Sequence, residues 1–216
     1  MTHAWRIEER EYQRQQERRG RRYAYEHLVP ARTALVVLDM VPLFVADSPY
    51  ALGIVGNIAR LAAGLRAAGG TVAWILPAGL PAREEFFGPR VAAEFGRNAK
   101  LWPAFESRDE DIVAEKTAAS AFFPGRCPLP GLLEERGIDT VLITGTVTNV
   151  CCESSARDAA TLGYRVVMVA DANAARRDED HNATLHTIYR SFGDVRPTAD
   201  ILELIADPRS KVPRER

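Results

Sequence analysis

From Arg32 onward the apolar residues follow two alternating patterns: short β-branched runs, and longer segments with apolar residues at helical spacing. Thr33–Asp39 (TALVVLD) is almost unbroken in Leu and Val, which predicts a strand covered on both faces. Ile54, Ile58, Leu61 and Leu65 share one face of a helix predicted over Ile54–Ala68, and Gly69–Gly70 stop it. Thr71–Leu76 is the second predicted strand. Asp111–Ala114, Thr140–Thr144, Arg165–Ala170 and the short Asp194–Arg196 follow as strands. Helices are predicted over Leu129–Arg136, Val150–Leu162, Asp178–Phe192 and Thr198–Ile205. Pro77–Pro103 is rich in Pro, Gly and Phe and lacks periodicity, so it reads as a long loop region with short helical pieces. Such loops in a compact domain are usually functional.

Strand–helix alternation of this kind gives a mostly parallel sheet with helices on both faces, wound by right-handed crossovers. The predicted fold is therefore a single doubly wound, Rossmann-like α/β domain over residues 31–210. Residues 1–30 differ in composition: Arg, Glu and Gln dominate, Trp5, Tyr12, Tyr23 and Tyr25 are interleaved, and RRGRR spans Arg18–Arg22. The preceding Glu8, Glu9, Glu11 and Glu17 offset the Arg cluster, so an ordered arm against the domain or a partner subunit is favoured over a phosphate-binding patch. Residues 211–216 are expected to fray.

Composition narrows the function. At 216 residues the chain can bury roughly 70% of its unfolded surface without a disulfide or metal staple. A net charge of −1 argues against nucleic acid or an anionic membrane as partner. Three cysteines make no secreted disulfide framework, no apolar run approaches a membrane span, and MTHAWRIEEREYQ has no apolar signal core. A cytoplasmic protein acting on a small molecule is the simplest expectation.

In doubly wound sheets the ligand site lies outside the carboxyl ends of the strands. Three polar residues fall there: Asp39 ends the first strand, Lys116 lies just past Asp111–Ala114, and Cys151 follows Thr140–Thr144. Each has a plain structural alternative, as a turn residue, a surface lysine and a small core filler. Their convergence on one edge is what points to an enzyme. A thiol at the first turn of a helix is biased toward the thiolate by the helix dipole and unpaired N–H groups. A partly desolvated Asp39 could take its proton, and Lys116 could hold that carboxylate charged. The four histidines, His3, His27, His181 and His186, are less well placed to act as the base. No metal-ligand spacing, G-x-G-x-x-G after a strand or Walker sequence is present, so neither a metal nor another cofactor is expected.

LVVLDMVPLF at Leu35–Phe44, EKTAASAFF at Glu115–Phe123 and GTVTNVCCESSARDAATLGYRVVMVADA at Gly145–Ala172 resemble the three landmarks of the isochorismatase-like cysteine hydrolase superfamily. Its most specific stretch here is T-x-x-C-x-x-x-[ST]-A-x-D-A, from Thr148 to Ala159. The resemblance implies a catalytic triad of Cys151, Asp39 and Lys116, with Cys152 packing inward. It further implies a cis peptide before Thr148, and an oxyanion hole from the backbone N–H groups of Thr148 and Cys151. Family members commonly assemble, so a homo-oligomer, dimer or tetramer, is expected. Two departures bear on substrate. Val41 stands where the family often has Gln, and ILPAGLPAREEFF from Ile75 lacks the histidine of the nicotinamidase-type metal set. The expectation is a metal-free amidohydrolase that cleaves an amide, ureido, carbamoyl or lactam C–N bond through a thioester. Phe44, Trp74 and Phe122 are candidate pocket walls. The competing expectation is a catalytically silent scaffold on the same fold.

Overall fold

The computed structural model describes residues 1–79, 85 and 99–207. The expected frayed tail at 211–216, and most of the segment read as a long loop, lie outside these described residues. Six parallel strands form one sheet in the order β3-β2-β1-β4-β5-β6. They are β1 Thr33–Leu38, β2 Thr71–Pro77, β3 Ile112–Lys116, β4 Thr140–Thr146, β5 Arg165–Ala174 and β6 Asp194–Arg196. The order reverses direction at β1, which sits between β2 and β4. The crevice between the carboxyl ends of β1 and β4 is thus the topological switch point.

Alternate residues of each strand feed two apolar layers. Ala34, Val36, Leu38, Val141, Ile143, Val166 and Met168 face one core. It is closed by α4 (Leu129–Glu135), α5 (Glu153–Thr161) and α6 (Asp178–Ser191), together with α1 (Glu9–Arg19) of the arm. Leu35, Val37, Val72, Trp74, Leu142 and Val167 face the other, under α3 (Pro49–Ala67) and α7 (Thr198–Ala206). Burial on both faces is why these strands read as apolar runs without alternation.

The boundaries differ from the sequence reading where capping or pairing extends an element. Helix α3 begins at Pro49, ahead of its first periodic apolar residue, because the Ser48 side chain accepts the Ala51 N–H and Pro49 tolerates the first turn. Strand β5 runs on to Ala174. Asn173 Nδ2 donates to the carbonyls of Ile143 and Val169, and the pairing of β4 with β5 shifts register beyond Ile143. Helix α5 starts only at Glu153. The preceding Thr148–Cys152 forms a single π-helical turn, so Cys151 sits in that turn, just ahead of the helix.

The arm lies on the α6 face. Tyr12 packs edge-on against Tyr189 with centroids 5.2 Å apart, and the Arg22 guanidinium covers the Tyr12 ring at 3.4 Å. The fully buried Asp194 carboxylate accepts the N–H groups of Ala24 and Tyr25, each at 2.8 Å. Part of the Arg cluster is therefore structural, with Arg19 reaching Asp194 at 3.4 Å. On the other face, Trp74 Nε1 donates to Asp111 at 2.8 Å, and Arg66 closes an ion pair on the same carboxylate.

Gly145 marks the closest approach of β4 to β1. Its φ of 112° suits glycine, and a Cβ there would fall onto the Leu38 carbonyl oxygen. Gly145→Ala is expected to destabilise the fold by about 3 kcal/mol or more, measured by chemical denaturation. An effect below about 1 kcal/mol would mean the strand spacing is softer than described.

Candidate active site

Three chain segments meet at the switch point. β1 ends at Leu38, and Asp39 turns the chain with a left-handed φ of 52°. Asp is among the few side chains that tolerate this conformation, because its short polar group bonds locally. The turn is held by Asp39 N–H to the Ile75 carbonyl at 2.9 Å and Val41 N–H to the Asp39 carbonyl at 2.8 Å. Thr146 on β4 donates its hydroxyl to the Asp39 carbonyl at 2.9 Å, and Thr144 ties back to Val36 at 3.1 Å. Lys116 is the last residue of β3, and Cys151 lies in the π turn after β4.

The three side chains touch. Lys116 Nζ is 2.8 Å from Asp39 Oδ2 and 3.5 Å from Cys151 Sγ, and it donates to the Ala118 carbonyl at 3.1 Å. Neither Asp39 oxygen has a hydrogen bond of good geometry, so the contact with Lys116 is an ion pair by distance, off the line of a hydrogen bond. Relative exposure is 0% at Asp39, 3% at Lys116 and 9% at Cys151. Cys151 is the most exposed of the three.

Burial sets the electrostatics. It pushes Asp39 above the ordinary carboxylate range, against the pull of Lys116 and the contact with Cys151. Burial also works against the Lys116 ammonium, but Asp39 and Cys151 outweigh it, and the lysine stays above its ordinary value. For Cys151, burial and then Asp39 push the thiol up to about 12, with Lys116 offsetting only part. Desolvation beside a carboxylate therefore works against the thiolate bias expected from a helix start.

The neighbouring residues sort as follows. Cys152 is fully buried with Ala156 and Ala159, as its helical spacing predicts. The cis peptide precedes Val147, not Thr148, since β4 ends at Thr146 and the chain turns there. Thr148 is fully buried, and its Oγ1 lies 2.9 Å from His181 Nδ1. Phe44 is half-buried on α2 (Pro42–Val45), just beyond Asp39. Trp74 and Phe122 are core residues: Trp74 is held by Asp111, and Phe122 packs edge-on against Tyr164 at 5.4 Å.

Two neighbours of the site were not singled out from the sequence. The Ser155 hydroxyl, one turn past Cys151, accepts the Ala121 N–H at 3.0 Å and pins the segment after Lys116 to the cysteine helix. Trp102, half-buried, donates its backbone N–H to the carbonyl of Met40, the residue after Asp39, at 2.7 Å. Ser155 falls within the T-x-x-C landmark, where its hydroxyl was a usable signal. Trp102 carried none, because its segment has no periodicity.

A doubly wound α/β protein with a thiol, a carboxylate and an ammonium in contact at its switch point belongs to a narrow class. Residues 33–200 match the isochorismatase domain family, and the chain belongs to the isochorismatase-like cysteine hydrolase superfamily. It is 32% identical over 182 residues to the uncharacterised isochorismatase family protein YecD of Escherichia coli O157:H7, covering 80% of this chain and 96% of that one. It is 33% identical over 208 residues to a ureidoacrylate amidohydrolase of Variovorax paradoxus (strain S110), covering 81% of each. The crystal structure of a cysteine hydrolase from Pseudomonas syringae pv. phaseolicola 1448A superposes with a TM-score of 0.77 at 28% identity, over 85% of this chain and 96% of that one. Among the described residues no helix is long and apolar enough to cross a membrane, and no group of three or more His, Cys, Asp or Glu could hold a metal ion.

The raised Asp39 sets a sign for pH dependence. A base works deprotonated, so activity should fall as pH drops through a value above the ordinary carboxylate range. Lys116→Met removes the attraction that opposes burial, so the acid limb should move upward. Turnover near neutral pH should fall by about 10²-fold or more. A pH–rate profile of kcat/KM for both proteins checks this; an unmoved limb would mean that Lys116 does not govern Asp39.

Proposed function

We propose that this isochorismatase-family hydrolase is a cysteine amidohydrolase that cleaves a C–N bond of a small amide, ureido or lactam substrate. One observation carries the reading: a single ammonium, Lys116 Nζ, lies 2.8 Å from the Asp39 carboxylate and 3.5 Å from the Cys151 sulfur. Similarity to a ureidoacrylate amidohydrolase supports the choice of C–N bond chemistry.

The chemistry runs in two halves. Asp39 accepts the Cys151 proton as the sulfur attacks the carbonyl carbon, forming the S–C bond. Backbone N–H groups of the turn, that of Cys151 with Thr148 or Val147 before it, hold the oxyanion. Asp39 then returns the proton to the leaving nitrogen as the C–N bond breaks, releasing ammonia or an amine and leaving a thioester. In the second half a water gives its proton to Asp39, its oxygen bonds to the carbon, and the C–S bond breaks. Asp39 reprotonates the departing sulfur, and the acid product leaves. Lys116 keeps Asp39 able to ionise in a buried site and offsets charge on the sulfur. Phe44 and Trp102, both half-buried near Asp39, serve as aromatic walls, while Trp74 and Phe122 act through packing beneath.

Ureido acids, lactams and primary amides screened for ammonia or amine release should yield a substrate whose turnover disappears in Cys151→Ala. Equal release by both proteins would end the cysteine mechanism. Release by neither across the whole set would favour a silent scaffold.

A further inference from the structure

The arm's first residues reach the catalytic turn through a stack of rings. His3, 5% exposed, lies between Tyr50 of α3 at 3.8 Å and His181 of α6 at 4.2 Å, with both interplanar angles 15°. Its hydrogen bonds fix its tautomer. Nε2 accepts the Ala175 N–H at 2.9 Å, so the proton sits on Nδ1, which donates to Asp178 at 2.6 Å. Asn182 clamps the chain on either side of Trp5: its Nδ2 donates to the Ala4 carbonyl at 3.1 Å, and its Oδ1 accepts the Arg6 N–H at 2.8 Å.

His181 is the link onward. It is fully buried, and its Nδ1 pairs with Thr148 Oγ1 at 2.9 Å, in the turn that carries Cys151. Burial lowers its pKa to about 3 and so holds it neutral. A neutral, buried imidazole is a poor proton shuttle near pH 7 but a stiff hydrogen-bonding strut. Tyr50 stands in α3, the second helix after the Asp39 turn, while Ala175, Asp178 and His181 follow β5. His3 therefore fastens the Asp39 side of the switch point to the Cys151 side.

We propose that His3 and His181 are positioning residues: a clasp from the N-terminal arm that, through the His181–Thr148 hydrogen bond, holds the Cys151 turn against Asp39 and Lys116. This inference rests on the cysteine-nucleophile reading above. The sulfur has to stay within reach of Lys116 at 3.5 Å, and a displacement on the order of 1 Å can cost about 10²-fold in rate.

The test uses iodoacetamide alkylation of the full chain across pH, with peptide mapping of each cysteine, so it needs no identified substrate. In the wild type, labelling of Cys151 at about pH 6.5 should depend on Asp39, seen as its loss in Asp39→Asn. His3→Ala and Thr148→Val should each slow that labelling about tenfold or more. Their labelling should instead set in only at more alkaline pH than in the wild type. Thr148→Ser, which keeps the hydroxyl, should restore the wild-type profile. The fully buried Cys152 is the internal control for general loosening and should stay unlabelled. A wild-type pH profile in His3→Ala or Thr148→Val overturns the clasp, and so does a change at Cys151 matched by exposure of Cys152. If His3→Ala fails to fold, the Thr148→Val and Thr148→Ser pair decides. Labelling of wild-type Cys151 that ignores Asp39 sinks the nucleophile reading, and the clasp with it.

Discussion

The buried contact between the Lys116 ammonium and the Asp39 carboxylate is the constraint around which this site is arranged. Two charges taken out of water each carry a desolvation penalty of several kcal/mol, and only close mutual attraction offsets it. Such a pair adds little net stability, and apolar replacements of similar volume often do as well. What it provides here is a carboxylate that sits inside the protein and still ionises. Placed against Cys151, that carboxylate is, in the proposed reaction, the base for a thiol that burial has made a weak acid. The same desolvation that suppresses the resting thiolate raises the basicity of its neighbour.

Sheet topology brings the partners together. Asp39 and Cys151 follow adjacent strands, and Lys116 ends the strand at the sheet's edge, beyond β2. The β1 and β4 ends are drawn tightly together by the Thr144 and Thr146 hydroxyls and by the bare Cα of Gly145. Ser155 then ties the segment after Lys116 to the helix after Cys151. Separate connections, each short and buried, make the cluster a property of the whole sheet edge and not of any one loop.

The arm extends this logic beyond the sheet. Its composition suggested an ordered arm against the domain or a partner subunit, favoured over an anion patch. In the fold Arg22 covers Tyr12, the Asp194 carboxylate holds the Ala24 and Tyr25 N–H groups, and His3 is wedged between rings of α3 and α6. A segment dense in charge can still fold onto a domain when its aromatic rings and histidines find buried partners.

Most strands and the parallel winding were readable because burial on both faces leaves unbroken runs of Val, Ile and Leu, and because a parallel sheet has few ways to wind. Asp39, Lys116 and Cys151 were likewise legible, since each follows such a run. The sequence by itself therefore determined the doubly wound sheet and the edge on which a thiol, a carboxylate and an ammonium would gather. Only tertiary structure decided that burial works against the thiolate, that Trp74 and Phe122 pack in the cores, and that Trp102, Ser155 and His181 stand near the site. The reason is physical: desolvation and hydrogen-bond partners depend on what distant segments place around a group, and no local pattern of residues encodes that.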